Sequence, residues 1–165
     1  MLLGTGLSPL QAWAADINVS TEAQLRTAIT SAASGDRIVF NAGITLTQDL
    51  PAVQTNVTIV GNNNTLSGNN QFRGLFIGAF TGSTQTAVAV TVQDLTIANA
   101  RAAGGSGGSG GGAGLGGALF VADQATVTVS NLSLTGNSAV GGNSGGGTAA
   151  GGGGMGGNAG TGGGG

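Results

Sequence analysis

The side chains able to do chemistry are few and scattered. Six carboxylates (Asp16, Glu22, Asp36, Asp49, Asp94 and Asp123) and four arginines carry all the charge, and the chain has no histidine, lysine, cysteine or tyrosine. Without histidine or lysine, a general base would have to be one of those carboxylates. No serine has the imidazole partner that would activate it as a nucleophile. Asp94 is the most suggestive acid, because Asn131 occupies the matching position 37 residues later. That partner is an amide, so no pair of carboxylates forms. Asp36 beside Arg37 belongs to a helix-to-strand turn, and Asp49 before Leu50-Pro51 and Asp123 before Gln124 read as turn residues. The lack of cysteine removes disulfides and thiolate metal sites. No residue is therefore assigned a catalytic, cofactor-binding or metal-binding role, and no cofactor is expected.

The elements that must position these side chains are one short helix and a series of strands. Thr21 and Gln24 have the spacing of a capping box. Leu25, Ala28, Ile29 and Ala32 recur on one helical face, and Gly35 can take the left-handed conformation that closes the last turn. Ile38-Val39-Phe40 then starts strand-like sequence, and no second helical pattern appears before Val140. A lone helix ahead of many short β runs predicts a lid over the end of an elongated body. The run from Leu25 to Phe40 resembles the N-terminal cap of right-handed parallel β-helices of the pectin-lyase-like type, with which bacterial autotransporter passengers commonly begin. The resemblance also implies an enzymatic alternative, since pectate-lyase-like enzymes use clustered aspartates to hold calcium or to act as acid and base. No such cluster is legible here, so a polysaccharide lyase or hydrolase would need catalytic residues further downstream.

A repeat lies behind the irregular spacing. Val90-Thr91-Val92-Gln93-Asp94-Leu95 recurs 37 residues later as Val127-Thr128-Val129-Ser130-Asn131-Leu132, and Val57-Thr58-Ile59 precedes the first copy by 33. Removing the glycine tract 104–117 from one interval and the loop-like stretch 78–87 from the other leaves 23 in both cases. That is the length of one turn of a solenoid, in which each coil buries its inward side chains only by stacking on neighbours. Gly74-Leu75-Phe76-Ile77 likewise matches Ala118-Leu119-Phe120-Val121, which predicts inward ladders of Phe, Val and Ile. Asn62–Asn64, Asn69, Asn70, Asn99 and Asn131 fall between strands, where asparagine tolerates left-handed turns. The expected fold is all-β: a right-handed parallel β-helix with an N-terminal amphipathic capping helix and glycine-rich loops.

Gly116-Gly117-Ala118-Leu119, followed by Leu134-Thr135-Gly136-Asn137-Ser138-Ala139 and Gly141-Gly142, resembles the repeat of polymorphic outer-membrane proteins. Leu134 stands where that family has phenylalanine, and only one full copy is present. The glycine tracts 104–117 and 141–165 otherwise exclude more than they assign. They lack the strand–helix context of a dinucleotide fingerprint, the aspartates of calcium-binding nonapeptides and the strict triplet period of collagen. They read as flexible, exposed low complexity.

Formal net charge is −2 with no basic patch, so neither nucleic acid nor an anionic membrane surface is an expected partner. The apolar opening residues and Ala12-Trp13-Ala14 look like the second half of a secretory signal, cleaved after Ala14 or Ala15. The expected organisation is a truncated signal peptide (1–15), an N-terminal strand and capping helix (16–36), β-helix coils with a glycine-rich insertion at 104–117 (37–142), and a glycine-rich tail (143–165) continuing into a longer passenger. The expected role is that of an exported, non-catalytic, adhesin-type segment at the bacterial surface or outside it. Its partners would be its own C-terminal membrane barrel and ligands on host or neighbouring cells. An ice-binding solenoid is the weaker alternative, because threonines such as Thr45, Thr47, Thr84 and Thr86 are not expected at equivalent positions in successive coils.

Overall fold

The structure is a computed structural model that describes residues 14–108, 110–145 and 154. Most of the signal-like segment and of the glycine-rich tail lie outside these residues. The elements run β1 (Asp16–Val19), α1 (Glu22–Ser31), β2 (Arg37–Phe40), β3 (Ile44–Thr45), β4 (Val57–Ser67), β5 (Leu75–Ile77), β6 (Ala79–Thr81), β7 (Thr84–Thr86), β8 (Val88–Ala98), β9 (Arg101–Ala103), β10 (Leu119–Val121), β11 (Ala125–Ser130), β12 (Ser133–Thr135) and β13 (Ser138–Val140). Among the described residues no helix is long and apolar enough to cross a membrane.

Parallel pairing in chain order organises the molecule. The main sheet runs β1-β2-β4-β8-β11, with β3 beside β4 and β12 beside β8. Two further parallel pairs, β5 with β10 and β9 with β13, flank it. Among the described residues the one antiparallel pair is the β6–β7 hairpin, which occupies the stretch expected to be a loop. Val57, Val90 and Val127 lie directly opposite one another, as the repeat requires. This mostly β architecture with parallel sheets is consistent with a β-helix.

Each layer is buried by the next. Ile38, Ile59, Val92 and Val129 form one column, and Ile44, Leu66, Ile97 and Leu134 another. Val92 and Ile97 are 0% exposed, whereas Val129 and Leu134, in the last described layer, are 50% and 54% exposed. The residue types are equivalent, and the difference is one of position: Val92 and Ile97 pair with a layer on each side, whereas among the described residues Val129 and Leu134 pair with a layer on one side. Covering such a side chain is worth about 1.5–3 kcal/mol. At the other end, α1 packs Leu25, Ala28 and Ile29 into the core.

The capping box forms with one variation. Gln24 N–H donates to Thr21 Oγ1 at 3.3 Å, but Gln24 Oε1 accepts from Ser20 N–H, one residue before the N-cap, at 2.8 Å. The expected role of Gly35 needs correction. The helix already stops at Ser31, where Ala32 turns to an extended conformation. Gly35, with φ of +97°, instead turns the chain into β2 while its N–H donates to Asn56 O.

Bends within and between strands explain the asparagines. Asn62, Asn63, Asp94 and Asn131 all have φ between 48° and 59°, as do Asn69, Asn70 and Asn99 at the next corner. Their side chains tolerate this left-handed backbone better than other non-glycine residues do. The bend resets strand alternation, so Val88, Val90 and Val92 point inward before Asp94, and Leu95 and Ile97 after it.

The glycine-rich insertion departs from expectation. Instead of leaving the body as a linker, several of the described residues of this tract pack backbone against backbone beside β9 and β13. Gly104 N–H donates to Val140 O, Gly112 N–H to Gly105 O, and Gly142 N–H to Gly112 O. A Cβ on Gly111 would sit 1.8 Å from Gly142 O, and one on Gly114 would sit 2.1 Å from Val140 O. Glycine is present at these two positions because only hydrogen fits between the adjacent strands of chain.

Candidate functional site

The six acids are distributed through the stack, and most brace it. Asp16 receives Arg37 Nη1 at 2.9 and 3.0 Å, tying β1 to β2. Asp36 accepts from Ala15 N–H and Ala33 N–H, and these backbone donors hold its carboxyl below the usual carboxylate range. Glu22 Oε2 accepts from Thr47 N–H and Thr47 Oγ1, pinning the helix to the following coil, while its other oxygen lies 3.9 Å from Arg26. Asp94 meets the predicted partner, since Asn131 Nδ2 donates to Asp94 Oδ1 at 2.8 Å. Asp123 Oδ2 accepts from the neighbouring Gln124 Nε2 at 3.4 Å. Among the described residues no three acids converge in the manner of a metal site.

The remaining acid, Asp49, belongs to a cleft of about 280 Å³ lined by Leu50, Ala52, Arg73, Phe76 and Phe80. Strand β5 places Phe76 here, and the β6–β7 hairpin brings Phe80 alongside. Asp49 Oδ1 accepts from Arg73 N–H at 2.8 Å. The Arg73 guanidinium lies 5.8 Å from the Phe76 ring centroid and 5.9 Å from that of Phe120, and the two rings stack at 4.9 Å. Among the described residues, buried Arg73 Nε has no hydrogen-bond partner. The cleft thus combines aromatic surface, one fixed cation and one carboxylate.

Residues 16–141 match the model of the family described as "putative pectate lyase-like adhesive domain". The chain belongs to that family. No curated protein and no solved structure matches it.

In this adhesive domain the pairing of Leu75, Phe76 and Ile77 with Leu119, Phe120 and Val121 agrees with the sequence alignment, but the direction of the aromatics does not. Leu75 and Ile77 are buried, while Phe76 and Phe120 occupy the outer, half-buried face. Strand alternation makes this unavoidable, because residues one apart point to opposite sides. The period-two pattern was the available signal. Nothing in the sequence placed Asp49, Arg73 or Phe80 beside Phe76, since that depends on how the hairpin folds back.

Of the threonines singled out in the sequence, Thr45 pairs with Ser67, and Thr84 and Thr86 pair within the β6–β7 hairpin, so they do not repeat from layer to layer. Thr58, Thr91 and Thr128 do stand in one register column. The adjacent outward rank pairs Ala89 with Thr126, so threonine does not fill a second parallel row.

Asn137 has a clear physical task. Asn137 Oδ1 accepts from Ala100 N–H at 2.8 Å, and its Nδ2 donates to Ile97 O at 2.8 Å. One amide thereby satisfies two backbone groups of the preceding coil at a corner where the strand ladder is interrupted.

Proposed function

We propose that this chain is an exported, cell-surface segment of an adhesin-type, autotransporter-like passenger, built as a right-handed parallel β-helix and non-catalytic in this region. The observation that carries the proposal is the use of its acids. Asp16, Glu22, Asp36 and Asp94 hold neighbouring layers in register instead of gathering around a common point. Membership of an adhesive-domain family supports the same function. In-register parallel layers support the β-helix, whose mechanism is mechanical and interfacial: stacked coils hold a stiff form and present side chains to another cell.

The test is to express the complete reading frame in its own bacterium and probe intact cells with antibody against residues 16–142. Labelling of intact cells, lost after external protease, together with cell attachment that the purified chain competes away, is the expected result. Retention of the segment inside the cell overturns the proposal. So does release of unsaturated uronates from pectate by the purified chain.

A further inference from the structure

We propose that the cleft between strand β5 and the β6–β7 hairpin binds a neutral pyranose saccharide, with Phe76 and Phe80 supplying the stacking surface and Arg73 and Asp49 the polar contacts. The inference rests on the adhesive function above and specifies its ligand. The hairpin is an insertion into the repeat, and its first strand builds one wall of the cleft. Gly78 N–H donates to Val53 O at 3.1 Å, and Phe80 N–H donates to Gln54 Oε1 at 3.3 Å, so the wall is anchored to the preceding layer. A side chain at Gly78 would meet Phe76 Cε1 at 3.2 Å and Phe80 Cε2 at 3.6 Å, which places the edges of both rings around this glycine. Phe80 is 41% exposed, so part of its ring is open to a ligand in the cleft.

The polar groups choose the ligand class. Phenylalanine offers no hydrogen bond, so recognition falls to the guanidinium and the carboxylate. Arg73 makes no ion pair among the described residues, and contact with the stacked Phe76–Phe120 rings steadies its head. One Asp49 oxygen is committed to Arg73 N–H, and the other remains as an acceptor. A charged donor beside a charged acceptor suits vicinal hydroxyls, each of which both gives and takes a hydrogen bond. One charge of each sign leaves the cleft neutral, so a sugar carboxylate near Arg73 would also face Asp49. The volume of about 280 Å³ lies at the small end of ligand pockets, with room for about one ring and not an extended chain.

The test titrates the full, isotopically labelled chain with methyl hexopyranosides of several configurations and, separately, with a hexuronate. At least one neutral glycoside is expected to shift the amides of Arg73, Gly74, Phe76 and Phe80. Phe80→Ala and Arg73→Gln should each weaken that binding about tenfold or more while leaving the far-ultraviolet spectrum unchanged. Absence of those shifts with every neutral glycoside overturns the assignment, as does binding confined to the hexuronate. The outcome is separable from the adhesive proposal: cells that attach while the purified chain ignores every neutral sugar refute the cleft alone. Saccharide binding by a segment that never reaches the cell surface refutes the adhesive role alone.

Discussion

Replacing Asn137 by alanine tests whether side-chain stitching at coil corners holds the layers together. The Asn137 amide serves Ala100 N–H and Ile97 O, and both of those residues are 0% exposed. Alanine leaves the Ala100 donor without its partner, at about 1–3 kcal/mol, and removes a second hydrogen bond worth about 0.5–1.5 kcal/mol. A loss of about 2–4 kcal/mol is expected. For a chain of this size each kcal/mol moves the midpoint by about 2–4 °C, so Tm should fall by roughly 5–15 °C. The control is Asn131→Gly, which removes an exposed bond to Asp94 and keeps the left-handed corner accessible at φ of 49°. That substitution should cost less than Asn137→Ala, because water replaces the lost donor at the exposed carboxylate. Thermal melts of the full chain followed by circular dichroism decide the matter. If Asn137→Ala melts with the wild type, or Asn131→Gly loses as much, the corner asparagine is turn chemistry and not a tie between layers.

Gly74→Ala would place a Cβ 2.1 Å from Ala118 O and 2.9 Å from Ile97 Cγ2, whereas Gly82→Ala meets nothing within 4 Å and suffers only its φ of +61°. The first should unfold or aggregate on expression, and the second should lose about 1–2 kcal/mol in a melt. Because backbone donors lower the Asp36 pKa, its contribution is present above the ordinary value of 3.8 and disappears as pH falls through the lower folded-state value. Asp36→Asn should therefore flatten the acid limb of Tm against pH, and an unchanged slope would assign that limb to other groups. The open layer predicts self-association of the isolated chain, reduced by Val129→Thr with Leu134→Gln; sedimentation velocity showing a monomeric wild type would contradict it.

The sequence by itself determined the stacking. Equivalent valines at a corrected period of 23 gave the register of Val57, Val90 and Val127, and the Leu25–Ala32 face gave the lid helix. These features are local or repetitive, so composition and spacing carry them. The Asp94–Asn131 contact was legible for the same reason, because it joins one repeat position to its copy. Tertiary structure alone decided what happens where the chain leaves the repeat. The tract 104–117 has the composition of a linker, yet its glycines permit backbone-to-backbone packing that depends on the position of residues 140–142. The cleft likewise needs Asp49, Arg73 and Phe80 to converge from a turn, a coil edge and an inserted hairpin. Asp49 and Arg73 lie 24 residues apart, close to one repeat, but no period relates Phe80 to either, so its place in the cleft follows only from the path of the inserted hairpin in space.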